Sequence, residues 1–103
     1  MFPPSSVKVT VQVQLQTRFN LGRLCFTETA VAEVPADELL KAVQRHAAGD
    51  WGTLDQTDWE GSDKALRDGA RLFSRYESSA GRKFWIVTEA DRAVTTVSLP
   101  EDK

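Results

Sequence analysis

Val7, Val9, Val11, Val13 and Leu15 alternate without a break against Lys8, Thr10, Gln12, Gln14 and Gln16. A period of two sustained over this length predicts a half-buried strand. Its polar face is Gln/Thr-rich, with Lys8 as its one charge. Thr17 to Asn20 reads as a turn and Leu21 to Phe26 as a shorter second strand. The alternation is poor from Thr27 to Val34, and the alanines there suit a helical turn, so strand and helix both stay open for that stretch.

The pattern then changes to a helical one. Pro35-Ala36-Asp37-Glu38 has the acids of a helix start, where the positive end of the helix dipole favours them. Leu39, Leu40, Val43 and Ala47 follow at helical spacing as one apolar stripe, with His46 on or beside it. Gly49 is the expected stop, because glycine takes the left-handed conformation cheaply. Thr57-Asp58-Trp59-Glu60 reads as a capping box opening a second helix that runs to about Asp68 and stops at Gly69. Trp59, Leu66 and Ser62 or Asp63 are its expected inward positions. Beyond it, Leu72–Tyr76, Phe84–Thr88 and Ala93–Leu99 read as three strands joined by the turns Ser78–Gly81 and Glu89–Arg92. Two hairpins in succession imply an antiparallel meander. The predicted fold is α+β: an antiparallel sheet of about four or five strands with two helices packed on one face.

Composition narrows the picture without naming a function. The 103 residues, 41% hydrophobic and 27% charged, suit one globular domain, with residues 1–6 as a flexible N-terminal segment and 100–103 as a tail. The single cysteine, Cys25, excludes an internal disulfide and suits a small hydrophobe in a reducing compartment. The N-terminus lacks the basic segment and apolar run of a signal peptide, and no stretch is long enough to span a bilayer. A cytoplasmic setting without membrane contact is the expectation. The net charge is −2, with acids concentrated in the helical middle and bases in the flanks, which is not a strongly basic nucleic-acid footprint.

Two blocks place unusual residue types where elements should end: Arg45-His46-Ala47-Ala48-Gly49-Asp50-Trp51-Gly52 and Trp85-Ile86-Val87-Thr88-Glu89-Ala90-Asp91-Arg92. Residues on loops held by a rigid scaffold carry function disproportionately. His46 with Asp50 suggests a general base or metal ligand oriented by a carboxylate, against the plainer role of a helix-end cap and a turn carboxylate. Asp50, Asp55, Asp58 and Asp63 invite a calcium reading, but their spacing misses the alternating ligands and terminal glutamate of a calcium loop, so no metal or cofactor is expected. Glu89, Asp91 and Arg92 form either a polar recognition tip, joined by Thr95 and Thr96, or ordinary turn chemistry. Arg71, Arg75, Arg82 and Lys83 interleave with Phe73, Tyr76, Phe84 and Trp85, as in sheets that stack bases, although strand aromatics more often serve the core. No nucleophile elbow, phosphate loop, dinucleotide fingerprint or zinc motif occurs.

The stretches His46–Gly52, Ala65–Tyr76 and Trp85–Thr96 resemble a group of small bacterial proteins termed plasmid-related, frequently encoded on mobile elements. The resemblance extends over roughly residues 19–100. It implies a bacterial or phage origin and a cytoplasmic setting but no reaction. Ser62 stands where the group favours asparagine and Ala93 where it favours serine. The expected function is a non-catalytic interaction or regulatory module from a mobile element, with a protein partner. Two alternatives are a nucleic-acid-associated regulator using Arg71, Arg75, Arg82, Lys83 and Trp85, and a small hydrolase or nuclease using His46, Asp50 and Glu89. Trp51, Asp91 and Arg92 complete the candidate loop residues. The N-terminal alternating run offers a strand edge for a homodimer.

Overall fold

A computed structural model describes residues 17–102. The predicted strand at Val7–Leu15 and the N-terminal segment before it lie outside the described residues.

The strand of the second alternating stretch, β1 (Arg23–Phe26), is followed by α1 (Glu28–Glu33), α2 (Ala36–Ala47) and α3 (Gln56–Asp68), then β2 (Leu72–Glu77), β3 (Lys83–Thr88) and β4 (Val94–Ser98). The sheet order is β1-β4-β3-β2. The meander β2-β3-β4 is antiparallel as expected, but β1 runs parallel to β4, so the sheet is mixed. Short turns dictate direction within the meander. β1 meets β4 only after the rest of the chain has intervened, so no turn dictates its direction. The fold is α+β with three helices rather than two. The open stretch Thr27–Val34 is α1, where Thr27 caps by accepting from the Ala30 amide at 3.2 Å.

One other boundary moved for a local reason, and one apolar stripe differs from its expectation. α3 starts at Gln56, because the Asp55 carboxylate accepts from the Asp58 amide at 2.8 Å. Asp is a stronger cap than Thr, and Thr57 falls inside the helix, so the expected capping box is not used. In α2 the buried stripe is Leu39, Ala42, Val43, His46 and Ala47, whereas Leu40 points to solvent at 53% exposure. The helix ends at Ala47, with Ala48 as its cap and Gly49 just beyond in the left-handed region at φ 85°. Within α3 only Ser62 of the expected inward positions is fully buried.

Strand alternation divides the sheet into two faces. Leu72, Ser74 and Tyr76 of β2, Phe84, Ile86 and Thr88 of β3, and Thr95 and Val97 of β4 are all buried on the inner face. Ala30 and Val34 from α1 and its exit, with Leu39, Ala42 and Val43 from α2, join Tyr76, Phe84, Ile86, Val97 and Leu99 in the main core. α3 lies along β2 instead. Its Trp59, Ala65 and Leu66 pack on a second cluster of Trp51, Leu54 and Leu72, and Ser62 Oγ donates to the Phe73 carbonyl at 2.7 Å. Gly52 bridges Arg75 in parallel fashion, which closes the outer edge of β2. A Cβ on Gly52 would sit 1.9 Å from the Arg75 oxygen, and its φ of 76° also favours glycine.

Candidate functional site

The inward row of β2, β3 and β4 contains Ser74, Thr88 and Thr95, three hydroxyls in a core of aliphatic and aromatic side chains. All three are at 0% exposure, as is His46 of α2 above them. Buried polar groups must be paired or they cost the full desolvation of an orphaned donor or acceptor. Here they pair with one another. His46 Nδ1 is 2.5 Å from Ser74 Oγ and Nε2 is 2.9 Å from Thr88 Oγ1, while Thr88 and Thr95 hydroxyls are 2.7 Å apart.

The end of this chain sets its direction. Thr95 Oγ1 donates to the Leu21 carbonyl at 2.7 Å, which uses its only proton. Thr88 must then donate to Thr95, and therefore accepts from His46 Nε2–H. Nδ1 is left as the acceptor for Ser74 O–H. The tautomer assigned by this network is the neutral Nε2–H form, with no lone donor left over. Burial, reinforced by the positive charge of Arg92, lowers the His46 pKa to about 4.

The two sequence blocks meet at this end of the sheet, and Phe19 joins them. Its ring stands edge-on to His46 at 5.4 Å and stacks with Trp51 at 6.4 Å, and the Arg92 guanidinium lies over it at 5.7 Å. Trp51, fully buried, donates its Nε1–H to Asp63 at 2.8 Å. The candidate pairing of Asp50 with His46 does not occur, and the His46 ring faces the sheet instead of capping the end of its helix. Asp50 binds Arg45 at 2.8 Å and accepts from the Gly52 amide at 3.1 Å. The Arg45 hydrogen bond holds the Asp50 carboxyl below its ordinary range. Tyr76 reaches the same turn, donating to the Asp50 carbonyl at 2.6 Å, and burial raises its pKa.

Glu89 turns away from His46 toward Arg71, at 3.5 Å. Asp91 accepts from the Ala93 amide and Arg92, at φ 61°, donates to the carbonyls of Ala70, Glu89 and Ala90. These are turn and strap contacts. The four aspartates of the calcium reading are likewise separated. Asp50 faces Arg45, Asp55 caps α3 and Asp63 holds Trp51, and the described residues contain no group of three or more His, Cys, Asp or Glu able to hold a metal ion.

The five candidate nucleic-acid contacts also divide. Arg75, Lys83 and Trp85 lie on the outer face, with Arg75 directly opposite Trp85 in register. Phe73 meets Trp85 edge-on at 5.3 Å, with Val87 opposite Phe73. Arg82 does not belong to this face. It bonds Glu33 at 2.7 Å and pairs with Glu101, tying the β2–β3 turn to α1 and the chain end. Arg71 precedes β2 and faces Glu89. Trp85 is half-buried, and its Nε1–H is enclosed without an acceptor among the described residues.

Sequence reasoning gave Ser74, Thr88 and Thr95 no buried role, reading Thr95 only beside the Glu89–Arg92 tip, and passed over Phe19. A signal for the first three was present: each falls on the inward parity of a strand whose other inward residues are apolar, so each needs a buried partner. Phe19, placed in a presumed turn, gave no such signal. No helix among the described residues is long and apolar enough to cross a membrane. Comparisons with protein-family models, curated proteins and solved structures found no match for this chain.

Proposed function

We propose that this chain is a non-catalytic interaction module whose working surface is the outer face of the sheet. The observation that carries this reading is the division of labour between the two faces. Of the residues with catalytic chemistry, His46 is fully buried with both ring nitrogens bonded to hydroxyls, while Asp50 and Glu89 are surface carboxylates paired with Arg45 and Arg71. The outer face instead presents Trp85 and Val87 partly exposed beside Arg75 and Lys83, with Phe73 packed against the Trp51 cluster at its margin. Tryptophan and arginine are the residue types that anchor protein interfaces, and a mixed surface on a chain of net charge −2 suits a protein partner. The resemblance to plasmid-related proteins extends the reading to a cytoplasmic partner in a bacterium carrying a mobile element.

One observation favours a second reading. Arg75 opposite Trp85, with Lys83 nearby and Arg23 on β1 sharing this face, is a stacking platform with phosphate-binding cations. A single experiment separates the two. The immobilised chain and its Trp85→Ala variant are exposed to bacterial lysate with and without nuclease, and bound material is identified by mass spectrometry. A protein retained through nuclease treatment by the native chain, and lost with Trp85→Ala, is the expected result. Recovery abolished by nuclease, with binding to single-stranded oligonucleotides that weakens as salt rises, would establish the second reading. Identical capture by both chains would refute the outer face as the working surface.

A further inference from the structure

The fold sorts charge by face. The three helices carry twice as many acids as Lys and Arg together. The outward row of the sheet does the reverse. Arg23 of β1, Arg75 of β2 and Lys83 of β3 stand there against one acid, Glu77, which lies opposite Lys83 in register. Among the described residues none of these three cations is in an ion pair. A chain of net charge −2 therefore presents a cationic sheet face backed by acidic helices.

Register fixes the layout of that face. Arg75 pairs with Trp85, two positions along β3 from Lys83, which sets these two cations about 8 Å apart at one end. Arg23 pairs with Val94, whose carbonyl accepts from the Glu89 amide. Arg23 therefore stands two strands across from β3 and level with Glu89, about 22 Å from Lys83. Trp85 and Val87 lie between the two ends, partly exposed. An extended chain covers that distance in about seven residues.

We infer that this face, on the reading of it as the working surface, takes an acidic segment of a partner protein in extended form. Its carboxylates meet Arg75 and Lys83 at one end and Arg23 at the other, with an apolar residue over Trp85 between them. Charge complementarity selects this occupant. The chain's own residues before Thr17 contain Lys8 and no Asp or Glu, so they offer these cations no counter-charge. A nucleic-acid strand carries a phosphate at every nucleotide, and the apolar span between Lys83 and Arg23 would leave its central phosphates unmatched. A short segment with acids at its ends and an apolar middle matches both parts of the face.

The test is fluorescence anisotropy of a labelled peptide with two Glu at one end, a third about seven residues on and leucine between them. The same peptide with Lys for Glu, and a thymidine oligonucleotide, are measured beside it. The Glu peptide should bind the full chain, at least tenfold more weakly in about 300 mM salt than in about 50 mM, and the Lys peptide should not bind. Lys83→Glu and Arg23→Glu should each weaken binding at least tenfold with unchanged circular dichroism, because both side chains are exposed. Arg67→Glu, the same charge change on α3, should leave binding unaltered. No binding of the Glu peptide overturns the acidic partner, as does an equal loss with Arg67→Glu. Tighter binding of the oligonucleotide would put a nucleic acid on this face instead. A doubled mass in light scattering, lost with Lys83→Glu, would put a second copy there and overturns it too. If Trp85→Ala abolishes capture from lysate while the Glu peptide fails to bind, the working surface stands and its acidic partner falls. If capture is unchanged by Trp85→Ala, both fall.

Discussion

Acidification should destabilise the fold through one side chain, His46. In the folded chain its pKa is lowered from 6.5 to about 4, because burial penalises the charged ring and the positive charge of Arg92 adds to that penalty. Above pH 6.5 both folded and unfolded chains carry the neutral ring, so it makes no difference to stability. As pH falls below 6.5 the unfolded chain takes up a proton that the folded chain refuses until about pH 4, and stability falls across that window. Each pH unit costs about 1.4 kcal/mol, so the full window is worth about 3 kcal/mol. That is a large part of the 5–15 kcal/mol typical of a domain. Urea denaturation followed by tryptophan fluorescence should show the midpoint falling by roughly 2 M between pH 7.5 and 4.5, taking a slope of about 1.5 kcal/mol/M. The lowered carboxyls of Glu38, Asp50, Asp68, Glu101 and Asp102 stabilise above their ordinary values of 3.8 to 4.5, and that contribution is lost only below them. The upper part of the window therefore belongs to the histidine. His46 is the only histidine in the chain, so its ring resonances can be titrated directly by NMR without any substitution. A titration midpoint near 6.5, or a urea midpoint flat from pH 7.5 to 4.5, would refute the buried neutral ring.

Three substitutions probe the same architecture. Thr95→Val removes the link that passes the Thr88 proton on to Leu21, leaving buried groups unpaired, and should cost about 1–3 kcal/mol in chemical denaturation. Tyr76→Phe keeps the ring packing and deletes only the bond to the Asp50 carbonyl; the expected loss is about 1 kcal/mol, and a loss several times larger would show that the hydroxyl does more than anchor this turn. Gly52→Ala must move the Arg75 carbonyl and accept a left-handed φ, so a loss above about 3 kcal/mol is expected, with faster amide exchange along β2.

Much of the local architecture was legible along the chain because its causes are local. The meander followed from alternation broken by turn residues, α2 from an apolar stripe opened by acids, and the ends of α2 and α3 from Gly49 and Gly69 in the left-handed region. Boundaries slipped where two residues competed for one local role, as when Asp55 rather than Thr57 capped α3. The stripe of α2 was misassigned at Leu40 because helical spacing alone does not say which side of a stripe meets the sheet.

What only the tertiary structure decided depends on contacts between distant residues. The parallel pairing of β1 with β4 comes from no turn, so no sequence signal marked it. His46 and Asp50 lie four residues apart, a spacing that suggests a pair, yet His46 faces the sheet and Asp50 binds Arg45. The basic residues looked like one stripe, but strand parity kept Arg75 and Lys83 on the outer face while Arg82 turned to Glu33 and Glu101. The sequence alone determined the meander, α2 and most of α3, though not α1 or the outward side of Leu40, because those preferences act over a few residues. Which hydroxyls close the chain around His46, and which face stays open for a partner, was decided when strands far apart in sequence came into register.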